Sequence, residues 1–259
     1  MKLDEIVISK AIIETFSKEL VGSLNVEVAI AGAGPAGLTA GFYLAQSGVK
    51  TSIFETNLRV GGGMPGGGIM FNKIVVQEPA REILEEMKIR YQEYQKGYYT
   101  ASSLEAVSAL TYRTIRAGAK IFNLIGVEDV MVQEGRVNGF VLNWGAVKLA
   151  GLHVDPIGMR FKIGIDATGH QCEVIRKLEE KGRVKLATSS GKIVGEGPMW
   201  AEKGEEAILE NTGEAFPGLY VAGMAANAVF GGPRMGPIFG GMLLSGKKVA
   251  QIIVGELKD

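Results

Sequence analysis

The chain has a single cysteine, Cys172, so no internal disulfide can form, and such cysteine usage suits a reducing compartment. It has no excess of either charge: 28 lysines and arginines balance 28 aspartates and glutamates. That balance leaves no electrostatic footprint for nucleic acid or a membrane surface, and neither is expected as a partner. The start, Met1-Lys2-Leu3-Asp4-Glu5, and the charges that interrupt the apolar residues after it fit neither a signal peptide nor a transmembrane span. A cytoplasmic protein is the expectation. Histidine is scarce too, with only His153 and His170. Glycine is the opposite case. Its 37 residues cluster, which points to backbone brought close to a ligand at several places rather than to a flexible linker.

What is present is organised around residues 26–55, VEVAIAGAGPAGLTAGFYLAQSGVKTSIFE. An apolar run reads as a buried strand and ends in Gly32-Ala33-Gly34-Pro35-Ala36-Gly37. An Ala/Leu-rich helix follows and stops at Gly48. A second strand, residues 50–54, ends in Glu55. Strand, glycine turn, helix, strand and acid in register form the dinucleotide fingerprint. The glycines allow a tight turn and close approach to a pyrophosphate, and the helix N-terminus favours its charge. Glu55 stands where an acid accepts from ribose hydroxyls. The expected fold class is α/β: a Rossmann-like dinucleotide-binding sheet of the FAD/NAD-linked reductase type with an inserted small β meander.

The remaining chain is read as one unit, residues 1–259, long enough to bury a large core. Residues 4–20 carry Ile8, Ile12, Phe16 and Leu20 every fourth position, an amphipathic helix that Asp4 caps. Packing on the domain is the plain expectation for it, and a subunit contact is the alternative. The glycine run at 61–68 cannot be regular structure and reads as a backbone surface laid against the ligand. Residues 79–96 have a charged helical pattern, with Tyr91, Tyr94, Tyr98 and Tyr99 read as packing residues. Residues 103–117 form a helix with Ser103 as cap and Gly118 as stop. Strands at 119–124, 127–133 and 136–143 make the β-rich segment near 119–150, with a turn at Glu134-Gly135. A buried strand at 161–166, loops with short strands over 182–213, a strand at 218–223 and a helix at 238–256 complete the reading.

Four groups of residues bear on chemistry. His153 and Asp155 lie in a loop, and His170 follows a buried strand at the edge where open α/β sheets bind ligands. One imidazole and one carboxylate suit divalent iron, manganese or zinc with open positions, and two ordinary surface histidines are the alternative. Cys172 reads as a small buried residue at a helix start rather than a nucleophile. Arg234, between glycine-proline turns, suits a carboxylate ligand. Finally, Met224 follows the strand and glycine of GLYVAG. Many flavin enzymes with this opening have an aspartate there, holding the ribityl chain, so Met224 counts against bound FAD.

The chain resembles thiamine thiazole synthases along nearly its whole length. The features are GAGPAGL with Glu55-Thr56, the triple glycine at 61–63, His153-Val154-Asp155-Pro156, Ala167-Thr168-Gly169-His170, and the run from Gly232 through Arg234 to Met242. The resemblance implies that NAD is a substrate. Nicotinamide is expelled, the ADP-ribose part condenses with glycine, sulfur is added, and loss of water gives an ADP-linked thiazole carboxylate. In fungal and plant members a cysteine of the protein, at the position of His153, is the sulfur donor. Histidine there, as in archaeal-type members, implies free sulfide, iron(II) and multiple turnover, with Cys172 outside the donor position. By the same resemblance Asp155 and His170 are metal ligands, which neighbouring subunits of an octamer can contribute separately. His153 is a catalytic residue that shuttles protons. Gly32, Gly34, Ala36 (often serine in the family) and Gly37 form the phosphate loop. Glu55, Thr56, Gly63, Val127, His153, Val154, Asp155 and Met224 contact the NAD-derived ligand, and Arg234 takes the glycine carboxylate. An FAD-dependent oxidoreductase, a non-catalytic NAD sensor and ribulose-bisphosphate formation are the competing readings.

Overall fold

The structure, a computed structural model, describes residues 2–258. Helix α1 (Glu5–Gly22) leads into β1 (Asn25–Ala31), α2 (Pro35–Gln46) and β2 (Thr51–Glu55). Next come β3 (Lys73–Gln77), α3 (Glu78–Glu86), β4 (Tyr91–Gln95), β5 (Tyr98–Ser102) and α4 (Ser103–Ala117). Then follow β6 (Lys120–Asn123), β7 (Ile125–Gln133), β8 (Arg136–Trp144), α5 (Gly145–Ala150), β9 (Ile157–Asp166) and α6 (Glu173–Gly182). The chain ends with α7 (Ala201–Asn211), β10 (Gly213–Phe216), β11 (Leu219–Val221), α8 (Met224–Phe230) and α9 (Gly240–Glu256). No described helix is long and apolar enough to cross a membrane.

The main sheet runs β10-β11-β9-β1-β2-β6, and β7 and β8 join it through β8 beside β9. Its centre is parallel: Ile30 pairs with Ile53, and Ala31 with Asp166. The parallel strands therefore all point their carboxyl ends the same way. Apolar residues that alternate along β1 separate two cores. Val28 and Ile30 face a cluster with Leu38, Leu44, Leu110 and Leu243, where α2 packs between α4 and α9. Ala29 and Ala31 face the other, with Phe54, Phe122, Phe140 and Ile175.

The β-rich segment differs from the expected meander. Strand β6 is a parallel member of the main sheet, whose antiparallel pairs are β7 with β8, β8 with β9, and β10 with β11. A separate three-stranded sheet, β3-β5-β4, forms earlier in the chain. The charged helix expected to 96 ends at 86, because Lys88 takes a left-handed φ of 62° and residues 91–95 pair with β5. Tyr91 and Tyr99 pack edge to face, whereas Tyr94 and Tyr98 are exposed. The cap of α4 is Ser102, whose hydroxyl accepts the Glu105 N–H, one residue before the expected Ser103. Helix α7 replaces part of the loop expected over 182–213.

Asp4 caps α1 as expected, accepting from the Ile6 and Val7 N–H groups. Packing of this helix is looser than expected. No residue of α1 is buried, and Ile8, Ile12 and Ile13 remain exposed. Only its C-terminal part leans on the body, through Phe16 against Phe122 and Glu19 against Lys120.

Candidate functional site

The carboxyl ends of β1, β2, β9 and β11 open on one cavity of about 920 Å³. Its floor is the glycine turn. Gly32 has φ 96°, and a Cβ there would meet the Ala167 carbonyl oxygen at 2.5 Å, so only glycine fits between β1 and β9. Gly32, Gly34 and Ala36 line the cavity. Gly37 does not. It lies behind the turn, where a Cβ would collide with the Gly32 carbonyl oxygen, so its role is tight packing of α2 on the turn.

Glu55 is buried, and its carboxylate ties the site together. Oε2 accepts the Ala33 N–H at 3.0 Å, and Oε1 accepts the Asn57 N–H and the Asn57 side-chain amide at 2.8 Å. The end of β2 is thereby fixed to the turn, with lone pairs left over for a ribose hydroxyl. Thr56, Gly63 and Val127 line the same wall. The glycine run lies against the turn and lines the cavity: the Gly61 N–H donates to the Ala33 carbonyl at 2.7 Å. Met224 is buried at the start of α8 and lines the cavity beside Met235, so this wall is apolar.

His170 and Arg234 stand on the same cavity. His170 is carried by a short 3-10 turn, Gly169–Gln171, after β9. Its Nδ1 lies 2.7 and 2.9 Å from the two carboxylate oxygens of Glu196. Donation from Nδ1 to that carboxylate orients the ring and leaves the Nε2 lone pair for a ligand. The turn is held from below by Asp166, which is wholly buried. Asp166 accepts from the Thr168 N–H and hydroxyl and from the Val174 and Ile175 N–H groups. Burial pushes its pKa up, and these donors pull it down. Arg234 is exposed on the loop between α8 and α9. Its backbone is pinned to residues 197 and 200, and its guanidinium has no carboxylate partner among the described residues. A free fork in a cavity suits an incoming carboxylate.

His153, Val154 and Asp155 are not brought to this cavity. They lie in an exposed segment between α5 and β9. Among the described residues no three histidine, cysteine, aspartate or glutamate side chains form a metal-binding group. What fits a metal is the single imidazole oriented by a carboxylate, His170 with Glu196. Cys172 is buried at the start of α6, and burial pushes its thiol up to about 12, the direction of an inert structural cysteine.

Reasoning from sequence missed Asp166 and Glu196. Asp166 was legible only as the last residue of a strand. Glu196 lies 26 residues beyond His170 in a stretch without a motif. A second hollow, of about 530 Å³, lies among Asn25, Lys50 and Arg160 at the amino ends of β1 and β9. It is at the opposite edge from where open α/β sheets bind ligands.

Comparison with known proteins shows the family. The Thi4 family model matches residues 9–239. A thiamine thiazole synthase of Methanothermobacter thermautotrophicus is 55% identical over 258 residues, covering all of both chains. The crystal structure of Thermovibrio ammonificans THI4 superposes with a TM-score of 0.96 at 47% identity, again covering both chains fully. A geranylgeranyl bacteriochlorophyll reductase-like protein of Thermoplasma acidophilum shares the fold, at a TM-score of 0.52 and 15% identity over 90% of this chain and 79% of that one. With its dinucleotide turn, its cavity and these full-length likenesses, the chain belongs to the Thi4 family.

Proposed function

We propose that this protein is a thiamine thiazole synthase that converts NAD, glycine and free sulfide into an ADP-linked thiazole carboxylate, with release of nicotinamide and water. One observation carries the reading: the dinucleotide turn, the oriented His170 and the free Arg234 share one cavity. The turn and α2 would hold the diphosphate. Glu55 and Thr56 would hold the ribose, and Arg234 the glycine carboxylate. Placing the reactants side by side removes most of the entropic cost of joining three molecules.

Iron(II) is the proposed metal, with His170 and Asp155 as its protein ligands. When bound, it supplies Lewis-acid chemistry. Asp155 of the same chain lies outside the cavity, so we assign the His153–Asp155 segment at each site to a neighbouring copy in a homo-oligomer, an octamer by family resemblance. The cavity rim supports this, since Ile69 and Leu149 line it yet are 74% and 89% exposed in the single chain. His153, brought in this way, would move protons during the reaction. Free sulfide is the proposed sulfur source, because position 153 holds histidine and Cys172 is buried. The intact mass of the protein should therefore be unchanged after turnover. Loss of one sulfur from Cys172 would contradict a catalytic role with free sulfide.

Replacement of Arg234 by alanine tests the carboxylate assignment. A charge-assisted hydrogen bond is worth about 1.5–3 kcal/mol, so KM for glycine should rise roughly 10- to 100-fold. KM for NAD should stay within about twofold. Equal losses for both substrates in steady-state kinetics would mean that Arg234 shapes the cavity and does not bind glycine.

A further inference from the structure

Glu205 is a buried carboxyl group with no part in the chemistry above. It lies on α7, which backs the loop that carries Arg234. Gly204 packs against Met235 and the Pro233 carbonyl, and the Trp200 N–H donates to the Arg234 carbonyl at 3.0 Å. Across from Glu205 are the first turn of α9 and the end of β3. The Gln77 side-chain amide donates to Glu205 Oε2, and the Gly241 N–H faces the same carboxyl. Gly240 and Gly241 permit this approach, since a Cβ on Gly240 would strike Gln77 and one on Gly241 would crowd Glu205 at 3.0 Å.

Two acceptors are left over. Gln77 Oε1 and Glu205 Oε1 are both buried without a hydrogen-bond partner. Unpaired buried acceptors are costly, and an ionised carboxylate cannot satisfy an amide oxygen. A single proton on Glu205 Oε1 resolves both. Donated to Gln77 Oε1, it would close a two-bond ring between an acid and an amide, since Gln77 Nε2 already donates to Glu205 Oε2. We propose that Glu205 is a positioning residue: protonated, it locks α7 to β3 and α9 through Gln77, holds the Arg234 loop in the shape that receives a carboxylate, and releases that hold when it ionises. The second half of this inference rests on the reading of Arg234 given above.

Burial pushes Glu205 up to about 7, against the pull of Gln77 and the Gly241 N–H. Charged groups on the surrounding elements do not contribute. On α7, Glu206 pairs with Lys203. At the start of α3, Glu78 is taken by Arg81 and Tyr99. On α9, Lys248 donates to the Leu209 carbonyl and Lys247 lies over the Tyr43 ring. Because the folded value lies above the ordinary glutamate value of 4.5, the protonated form stabilises the fold at low pH, and that stabilisation is lost as pH rises toward and through about 7.

The test compares wild type with Glu205→Gln, an uncharged isostere that keeps a donor for Gln77 at every pH. The difference in melting temperature, variant minus wild type, should grow between about pH 5 and 8. Isotope-edited infrared spectra of wild type should show a protonated glutamic acid at about pH 6 that is absent from the variant. In turnover assays the wild-type KM for glycine should climb several-fold over the same range relative to that of Glu205→Gln. A flat melting difference, or no protonated acid, overturns the acid-amide lock. A constant KM ratio with measurable turnover overturns the positioning role. Loss of all turnover in both proteins, with the two spectroscopic and thermal results as expected, would count against the proposed function and not against the lock.

Discussion

Replacing His170 by alanine should, with iron(II) held as proposed, lower turnover by roughly 10²–10³-fold, the several kcal/mol that a Lewis-acid contact contributes at about 1.4 kcal/mol per decade. The fold should survive, because the side chain is 46% exposed and Glu196, its side-chain partner among the described residues, retains some access to water. A loss of stability below about 1 kcal/mol is expected. The comparison variant is Glu196→Gln, which keeps a hydrogen-bonding group beside Nδ1 but removes the charge. Loss of an outer partner of this kind costs about 10–100-fold in metal affinity or activity. The order His170→Ala worse than Glu196→Gln, both well folded, separates a ligand from the group that orients it. Full activity of His170→Ala in the same assay would remove this histidine from the site.

Replacing Asp166 by alanine should do the reverse and act mainly on the fold. Its carboxylate gathers four donors, three of them backbone N–H groups at the His170 turn and the start of α6. Alanine leaves those donors buried and unpaired, at a cost of roughly 2–5 kcal/mol in total. For a chain of this size each kcal/mol shifts the melting temperature by about 2–4 °C, so a drop near 10 °C is expected in thermal unfolding. Thr168→Val is the milder test. It removes the hydroxyl that links Asp166 to the Glu173 N–H while preserving the carboxylate. Turnover should fall with Thr168→Val while melting changes by only about 1 kcal/mol. A melting temperature unchanged in Asp166→Ala would show that these hydrogen bonds do not hold the turn.

What could be read from the sequence follows from how local the physics is. The βαβ unit was legible because its turn, helix start and acid lie within thirty residues and each is fixed by backbone geometry. His170 and Arg234 were legible because each sits beside glycines at a strand end or turn. Asp166 and Glu196 were not, since a buried cap and an orienting carboxylate are defined by partners that only folding brings near. Strand β4 carries no strand signal in the sequence because its residues are polar and mostly exposed, so period-two alternation is lost on a sheet edge. Helix α7 was hidden by Gly204 in its first turn, a residue needed for contact with Pro233 and Met235. The segment with His153 and Asp155 shows a different limit. Its residues are informative in sequence, but one folded chain does not place them beside His170.

The central claim is that the ADP-binding turn holds a substrate that is rebuilt, not a cofactor that departs intact. The direct measurement is anaerobic incubation of the protein with NAD, glycine, sulfide and iron(II), followed by mass analysis of the small molecules. The account predicts free nicotinamide and an ADP-thiazole carboxylate in amounts many times that of the protein. NAD recovered intact, with no ADP-thiazole beyond one equivalent per chain, would contradict it.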